Sequence, residues 1–156
     1  MDTRTGYPTM LLHNPGYLDG ANGEAEWVHH TSRVGKETQN PTDHNYFVLA
    51  IAYLRALDLF QEILGLDTVK AVIGGHSKRA TSAYTAAAID PDRIAGVVYM
   101  GNESVFERMD EDYRRPVSPN RTSALVTCPV LYVGATNEDG YEMFAINHIQ
   151  EKMIHP

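Results

Sequence analysis

The sequence has little that would cross-link the chain or carry it into a membrane. Its single cysteine, Cys128, excludes an internal disulfide. Because Cys128 comes just before Pro129 and a short apolar run, we expect a buried, unreactive thiol at the start of a strand. No apolar stretch reaches the roughly 18 residues that span a bilayer, and residues 1–6 lack the apolar run of a signal peptide. No address is therefore encoded in this chain, and a cytoplasmic location is the default expectation.

Positive charge is also scarce. The chain has 20 acidic and 13 basic residues, which give a formal net charge of -7. Without an excess of basic residues there is no patch to neutralise phosphates, so nucleic acid and anionic membrane surfaces are poor candidate partners. A small neutral or cationic substrate fits the charge better. The length of 156 residues and the 43% hydrophobic content predict one domain, residues 1–156, with one core.

Predicted strands and helices alternate along the chain. The most secure element is a helix from about Asp43 to Leu64, with Thr42 and Asp43 as its N-cap and Gly65 as its C-cap. Its buried face is predicted to contain Phe47, Ile51, Leu54, Leu57 and Leu64. Predicted strands are Thr9–His13, Val69–Ile73, Ile94–Met100 and Val130–Val133, with further helices at Ala80–Ile89 and Tyr141–Met153 and a long irregular connection at Tyr17–Pro41. This alternation predicts an α/β fold, with a mostly parallel sheet and helices on both faces.

The segment Gly74–Ala80 has the pattern of a nucleophile elbow, in which a serine lies on a sharp turn between a strand and a helix. Gly75 lets the backbone turn without a Cβ clash, which exposes the Ser77 hydroxyl above the sheet. The next backbone N–H and the helix N-terminus then face a developing oxyanion. Arg79 occupies the second glycine position of Gly-x-Ser-x-Gly. The alternative is a strand-to-helix turn with Ser77 as a helix N-cap, of the kind that binds phosphate in flavodoxin-like sheets.

Several segments together carry a resemblance to a known family. They are Thr9–Pro15, Ala50–Asp58, Gly75–Ala80, Ala86–Pro91 and Ala135–Glu138. In this order they resemble the PhoPQ-activated pathogenicity-related proteins, a branch of the α/β-hydrolases, over nearly the whole chain. The elbow of that family is Gly-x-Ser-Lys-Arg-Gly, so Arg79 matches it and Ala80 departs from it. A looser similarity exists to glucuronoyl and related carbohydrate esterases, which carry a basic residue directly after the serine.

The resemblance implies roles for three residues of the elbow. Ser77 takes the position of the nucleophile, and Lys78 takes the oxyanion position through its backbone N–H, with its side chain as a helper. His76 lies in the variable position of the motif, from which it would contact the substrate in the acyl pocket. The implied fold is an α/β-hydrolase core that is incomplete at both ends of this chain.

The catalytic acid has three candidates. The family pattern Gly-Thr-Asn-Asp aligns with Ala135–Glu138, which ranks Glu138 first and its neighbour Asp139 second. Glu103 ranks third, because glucuronoyl esterases place their acid after the corresponding strand. A carboxylate at this position would orient a histidine and stabilise its imidazolium form.

The general base is the missing member of this set. In this fold the histidine follows the acid, and here only His148 and His155 do so. His148 falls in a predicted helix and His155 is the penultimate residue, so we expect the base to lie beyond Pro156. We likewise expect the first strands of the fold to precede Met1, so that missing sequence or a partner chain completes the sheet.

No metal or organic cofactor is implied. His29, His30 and His44 match no ligand spacing, and we expect them to have surface or packing roles. The predicted function is hydrolysis of a carboxylic ester through an acyl-enzyme on Ser77. The alternatives are a peptidase or amidase of the same fold, and a non-catalytic scaffold of the α/β-hydrolase type that binds a small molecule or a protein.

Overall fold

A computed structural model describes residues 6–12, 33–101, 112–134 and 151 of the chain. Its main elements are helix α1 (Asn45–Leu64), strand β1 (Ala71–His76), helix α2 (Lys78–Ile89), strand β2 (Ile94–Met100) and strand β3 (Val130–Val133). Short helical turns lie at Pro41–Asp43, Arg115–Val117, Pro119–Thr122 and Ser123–Leu125. Within the described residues no helix is long and apolar enough to cross a membrane.

Several predicted boundaries are confirmed. β2 and β3 have the predicted bounds, and α2 ends at Ile89, just before Asp90 and Pro91. This end follows from local geometry, since a residue that precedes proline disfavours the helical region. β1 begins later than predicted and extends as far as His76, directly before the turn.

Two predictions near the N-terminus are wrong for the residues that the structure describes. Thr9–Leu12 form no strand, and Leu11 is 83% exposed. Residues 33–38, which fall in the predicted irregular connection, are helical. The first error has a clear physical cause. A short apolar run indicates a strand only where another strand pairs with it, and sequence spacing cannot supply that partner.

The start of α1 differs from the prediction in an informative way. Thr42 and Asp43 lie in the helical turn before it, where the Asn40 side chain accepts from the Thr42 N–H. The N-cap of α1 is His44, whose Nδ1 accepts from the Tyr46 N–H at 3.3 Å. Gly65 ends the helix in the left-handed conformation, with φ 63°, as predicted.

The buried face of α1 is rotated from the predicted one. Leu54 and Leu57 are buried as expected, but Ile51 is 37% exposed. The fully buried face instead contains Tyr46, Leu49, Ala50, Leu54 and Leu57. Helical spacing fits either set, so only the contact with α2 selects between them.

The three strands are parallel and lie in the order β1-β2-β3. His76 pairs with Met100, and Met100 pairs with Val133, so the carboxyl ends of all three strands reach the same edge. Binding and catalytic residues of open parallel sheets lie at this edge. The fold therefore places the turn at Ser77 on the same edge as the ends of β2 and β3.

In the part of the chain that the structure describes, helices cover one face of the sheet. Core residues Ile73, Val97 and Tyr99 face α1 and α2. The opposite face carries exposed apolar side chains, namely Val72 at 65%, Leu131 at 60%, Val133 at 48% and Met100 at 37%. The prediction of an α/β fold with a parallel sheet is confirmed. Helices were predicted on both faces of the sheet, and among these residues they are observed on one face only.

Candidate functional site

Ser77 has an unusual backbone conformation. It lies between β1 and α2 with φ 56° and ψ -126°, and it shares a positive φ with only one other non-glycine residue of the described chain, Gln39. This region of backbone space is nearly confined to glycine and costs about 1–3 kcal/mol for another residue. The surrounding structure must impose it. Glycine would adopt the same turn without strain, but it carries no hydroxyl. The strain is therefore a consequence of having a serine at this position.

Hydrogen bonds on both sides hold the Ser77 backbone. Its N–H donates to the carbonyl of Met100 on β2 at 2.8 Å. Its carbonyl accepts from the N–H groups of Ala80 and Thr81, at 2.8 and 3.3 Å, in the first turn of α2. The Ser77 side chain makes no capping hydrogen bond to that turn. Ser77 is therefore the N-cap residue of α2 by position but not through its side chain, and the alternative of a phosphate-binding turn stays a prediction.

Gly75 accounts for the tolerance of Arg79 in place of the second glycine. A Cβ added at Gly75 would lie 2.7 Å from both the carbonyl carbon and the Cβ of Arg79. Real Cβ atoms do not approach backbone so closely. The turn thus brings the second residue before Ser77 against the second residue after it, and one glycine in this pair is sufficient. The departure at Arg79 is compatible with the sharp turn for this reason.

Lys78 and His76 flank the nucleophile candidate. Lys78 is the first residue of α2, and among the described residues its backbone N–H has no acceptor. Such N–H groups at a helix start are the ones that bind anions. His76 is exposed at the end of β1. The oxyanion role of Lys78 and the substrate contact of His76 stay predictions.

A layer of buried hydroxyl and aromatic groups lies beneath the turn. Thr81 Oγ1 and Tyr99 Oη are 2.9 Å apart, and both residues are almost fully buried. The Tyr99 ring packs edge-on against Tyr84 and at a tilt against Tyr132. Burial raises the pKa of Tyr132 to about 12 and that of Tyr84 further, so both phenols stay protonated. The sequence alone does not single out these residues for a role at the site. The one available signal is the alternation of side chains along β2, which places Tyr99 on the same face as Val97.

The predicted acids, Glu138, Asp139 and Glu103, lie outside the described residues, as do His148 and His155. The structure describes the strand ends that precede the acids. Gly101, which follows β2, donates its N–H to the carbonyl of Val133 at 2.8 Å. The choice among the three acids stays a prediction.

His44 and Cys128 are both buried, as expected for packing residues. His44 lies between the rings of Tyr46 and Tyr113, with centroid distances of 4.5 and 5.7 Å. Burial, aided by the charge of Arg114, lowers the pKa of His44 to about 4. Burial likewise raises the pKa of the Cys128 thiol, which makes it a poor nucleophile. His29 and His30 lie outside the described residues, within which no cluster of His, Cys, Asp or Glu could hold a metal ion.

Comparison with models of protein families, with curated proteins and with solved structures finds no match for this chain.

Proposed function

We propose that the protein is a serine hydrolase that cleaves a carboxylic ester through an acyl-enzyme on Ser77. One observation carries the proposal, the strained backbone of Ser77 at a junction between a parallel strand and a helix. Backbone strain of this kind is concentrated at active sites, where it is part of the mechanism. In a nucleophile elbow, the strained turn exposes the serine hydroxyl above the carboxyl ends of the strands, and a substrate can reach it there.

The chemistry follows from the groups around Ser77. The Ser77 oxygen attacks the ester carbonyl while a histidine takes the hydroxyl proton, and the ester C–O bond then breaks as the histidine returns that proton to the leaving alcohol, which leaves the acyl-enzyme. Water then attacks the acyl-enzyme, and the acid product leaves. The Lys78 N–H and the positive end of α2 support the oxyanion in both steps. His76, exposed beside Ser77, would contact the acyl group.

The remaining members of the catalytic set are part of the same proposal. Glu138 is the preferred acid, followed by Asp139 and Glu103, and the general base is a histidine beyond Pro156. The shared edge of β1, β2 and β3 supports an acid that follows β2 or β3, because the end of β2 pairs with the end of β1 and the end of β3 lies one strand further along the same edge. Membership of the α/β-hydrolases, near the PhoPQ-activated pathogenicity-related proteins, belongs to this proposal and is supported by the elbow and the consecutive parallel strands.

The test is intact mass after treatment with a fluorophosphonate, in which the serine oxygen displaces fluoride from phosphorus. In a chain that includes the general base, we expect one adduct that is lost in Ser77→Ala. Ser82→Ala is the matched control, because Ser82 lies in the same helix and donates to the Lys78 carbonyl at 2.9 Å. This variant should keep the adduct.

A chain extended beyond Pro156 tests the position of the base. An adduct that forms only in the extended chain places the histidine there and supports the proposal. The absence of an adduct in both chains, with folding verified by circular dichroism, contradicts it and favours a binding scaffold. Parallel assays with p-nitrophenyl acetate and acetyl p-nitroanilide then separate an esterase from an amidase.

A further inference from the structure

We propose that the buried hydroxyl pair of Thr81 and Tyr99 positions Ser77, by fastening the first turn of α2 to β2. The two oxygens are 2.9 Å apart. The consequence for catalysis rests on the proposed function of Ser77, but the effect on the Ser77 backbone does not. Thr81 and Tyr99 are thus positioning residues, which act through Ser77 rather than on a substrate.

The pair closes a ring of contacts around Ser77. The Thr81 N–H donates to the Ser77 carbonyl, and the Ser77 N–H donates to the carbonyl of Met100. Met100 is the residue after Tyr99 on β2. The Thr81–Tyr99 hydrogen bond joins the two arms of this ring. Two of the three backbone hydrogen bonds of Ser77 therefore end on Thr81 itself and on Met100, the neighbour of Tyr99, and the side-chain contact links these two ends.

Burial makes the contact hard to replace. Thr81 is fully buried and Tyr99 is 2% exposed, so water cannot take the place of a lost partner. The Tyr99 ring is also held by Tyr84 and Tyr132, with centroid distances of 6.2 and 5.3 Å. Removal of the phenol oxygen alone thus leaves the packing of the ring in place and removes only the hydrogen bond to the first turn of α2.

The strain at Ser77 explains why such a link is needed. A residue with φ 56° and ψ -126° relaxes to an ordinary conformation unless its neighbours prevent it. Relaxation requires the first turn of α2 to move relative to β2, because Ser77 is bonded to both. A contact that blocks this movement keeps the hydroxyl in the orientation that attack requires.

The experiment measures amide hydrogen exchange at Ser77 by NMR, together with the rate of fluorophosphonate modification and the unfolding free energy. In Tyr99→Phe and in Thr81→Val, we expect Ser77 N–H exchange about five- to tenfold faster and modification slower by a similar factor. The double variant should resemble each single variant, because both remove the same contact. Thr81→Ser restores the hydroxyl and should return both rates toward those of the parent chain.

Thr85→Val is the matched control. Thr85 lies one turn later in α2, is also buried, and donates to the Thr81 carbonyl at 2.9 Å, a hydrogen bond within the helix. Thr85→Val should lower the unfolding free energy to a similar extent. Its Ser77 N–H should exchange no faster than this loss of global stability explains. Equal Ser77 exchange in the Thr81, Tyr99 and Thr85 variants overturns the proposal. If neither this chain nor the chain extended beyond Pro156 is modified, the proposed function fails, and the exchange measurement still decides the positioning role.

Discussion

The backbone of Arg79 lies against the hydrogen of Gly75, at a place where a Cβ would be 2.7 Å from the Arg79 carbonyl carbon. The sharpness of the turn at Ser77 depends on this contact, since Gly75 and Arg79 flank Ser77 symmetrically in sequence. Overpacking against backbone cannot be relieved by a change of rotamer. The contact therefore makes Gly75 the least replaceable residue of the elbow.

Gly75→Ala should destabilise the protein by about 1–3 kcal/mol, because the added methyl group forces α2 away from β1. Modification of Ser77 should be lost with it. Urea unfolding and intact mass after fluorophosphonate treatment check both effects. Gly96→Ala is the matched control, because a Cβ there would meet its nearest atom, the Pro129 carbonyl oxygen, at an ordinary 3.5 Å. Equal losses in the two variants would contradict this account of the turn.

His44 makes stability depend on pH. Its pKa falls from 6.5 to about 4 in the folded state, through burial and the charge of Arg114, while Asp112 opposes the shift. As the pH falls, His44 therefore takes up a proton at a higher pH in the unfolded chain than in the folded protein. The stabilisation is complete above pH 6.5 and is lost toward pH 4. We expect a loss of about 2 kcal/mol from this residue between pH 7 and pH 5.

His44→Asn tests this assignment. Asparagine retains an N-cap acceptor for α1 but does not titrate. The variant should lose less stability than the parent chain between pH 7 and pH 5, as measured by denaturant unfolding at each pH. The same loss in both proteins would show that other groups cause the pH dependence.

Arg93 joins α1 to the segment between α2 and β2. Its guanidinium contacts Asp58 at 2.6 Å and Asp90 at 2.7 Å, and the side chain is 28% exposed. Arg93→Met should cost about 1–2 kcal/mol, because it removes charged hydrogen bonds to two carboxylates. Arg55 also contacts Asp58, at 3.0 Å, but is 80% exposed. Arg55→Met should change the unfolding free energy by less than about 0.5 kcal/mol, and an equal loss in both variants would contradict the distinction.

Val72 and Ile73 test which face of the sheet is covered. They are neighbours in β1, but Val72 is 65% exposed and Ile73 only 8%. Ile73→Thr should cost about 2–4 kcal/mol by the loss of core packing, whereas Val72→Thr should stay within about 0.5 kcal/mol. Thermal unfolding measures both. A large loss in Val72→Thr would show that another segment or a partner covers this face.

Local signals in the sequence were enough for much of the fold. The bounds of β2 and β3, the end of α1 at Gly65 and the end of α2 before Pro91 depend on side-chain pattern, glycine and proline, which act on their immediate neighbours. The same is true of the turn at Ser77. The strand expected at Thr9–His13 was wrong over its described residues, Thr9–Leu12, because a strand needs a partner.

Consecutive residues are enough to predict that Ser77 follows a strand and starts a helix, with Gly75 two residues before it. The strain at Ser77, the hydrogen bond of its N–H to Met100 and the contact of Thr81 with Tyr99 depend instead on the packed fold. These contacts join residues far apart in sequence, and they exist only once β1, β2 and α2 have packed. The physical reason is that strain at one residue is sustained by hydrogen bonds and packing from elements that no local pattern specifies.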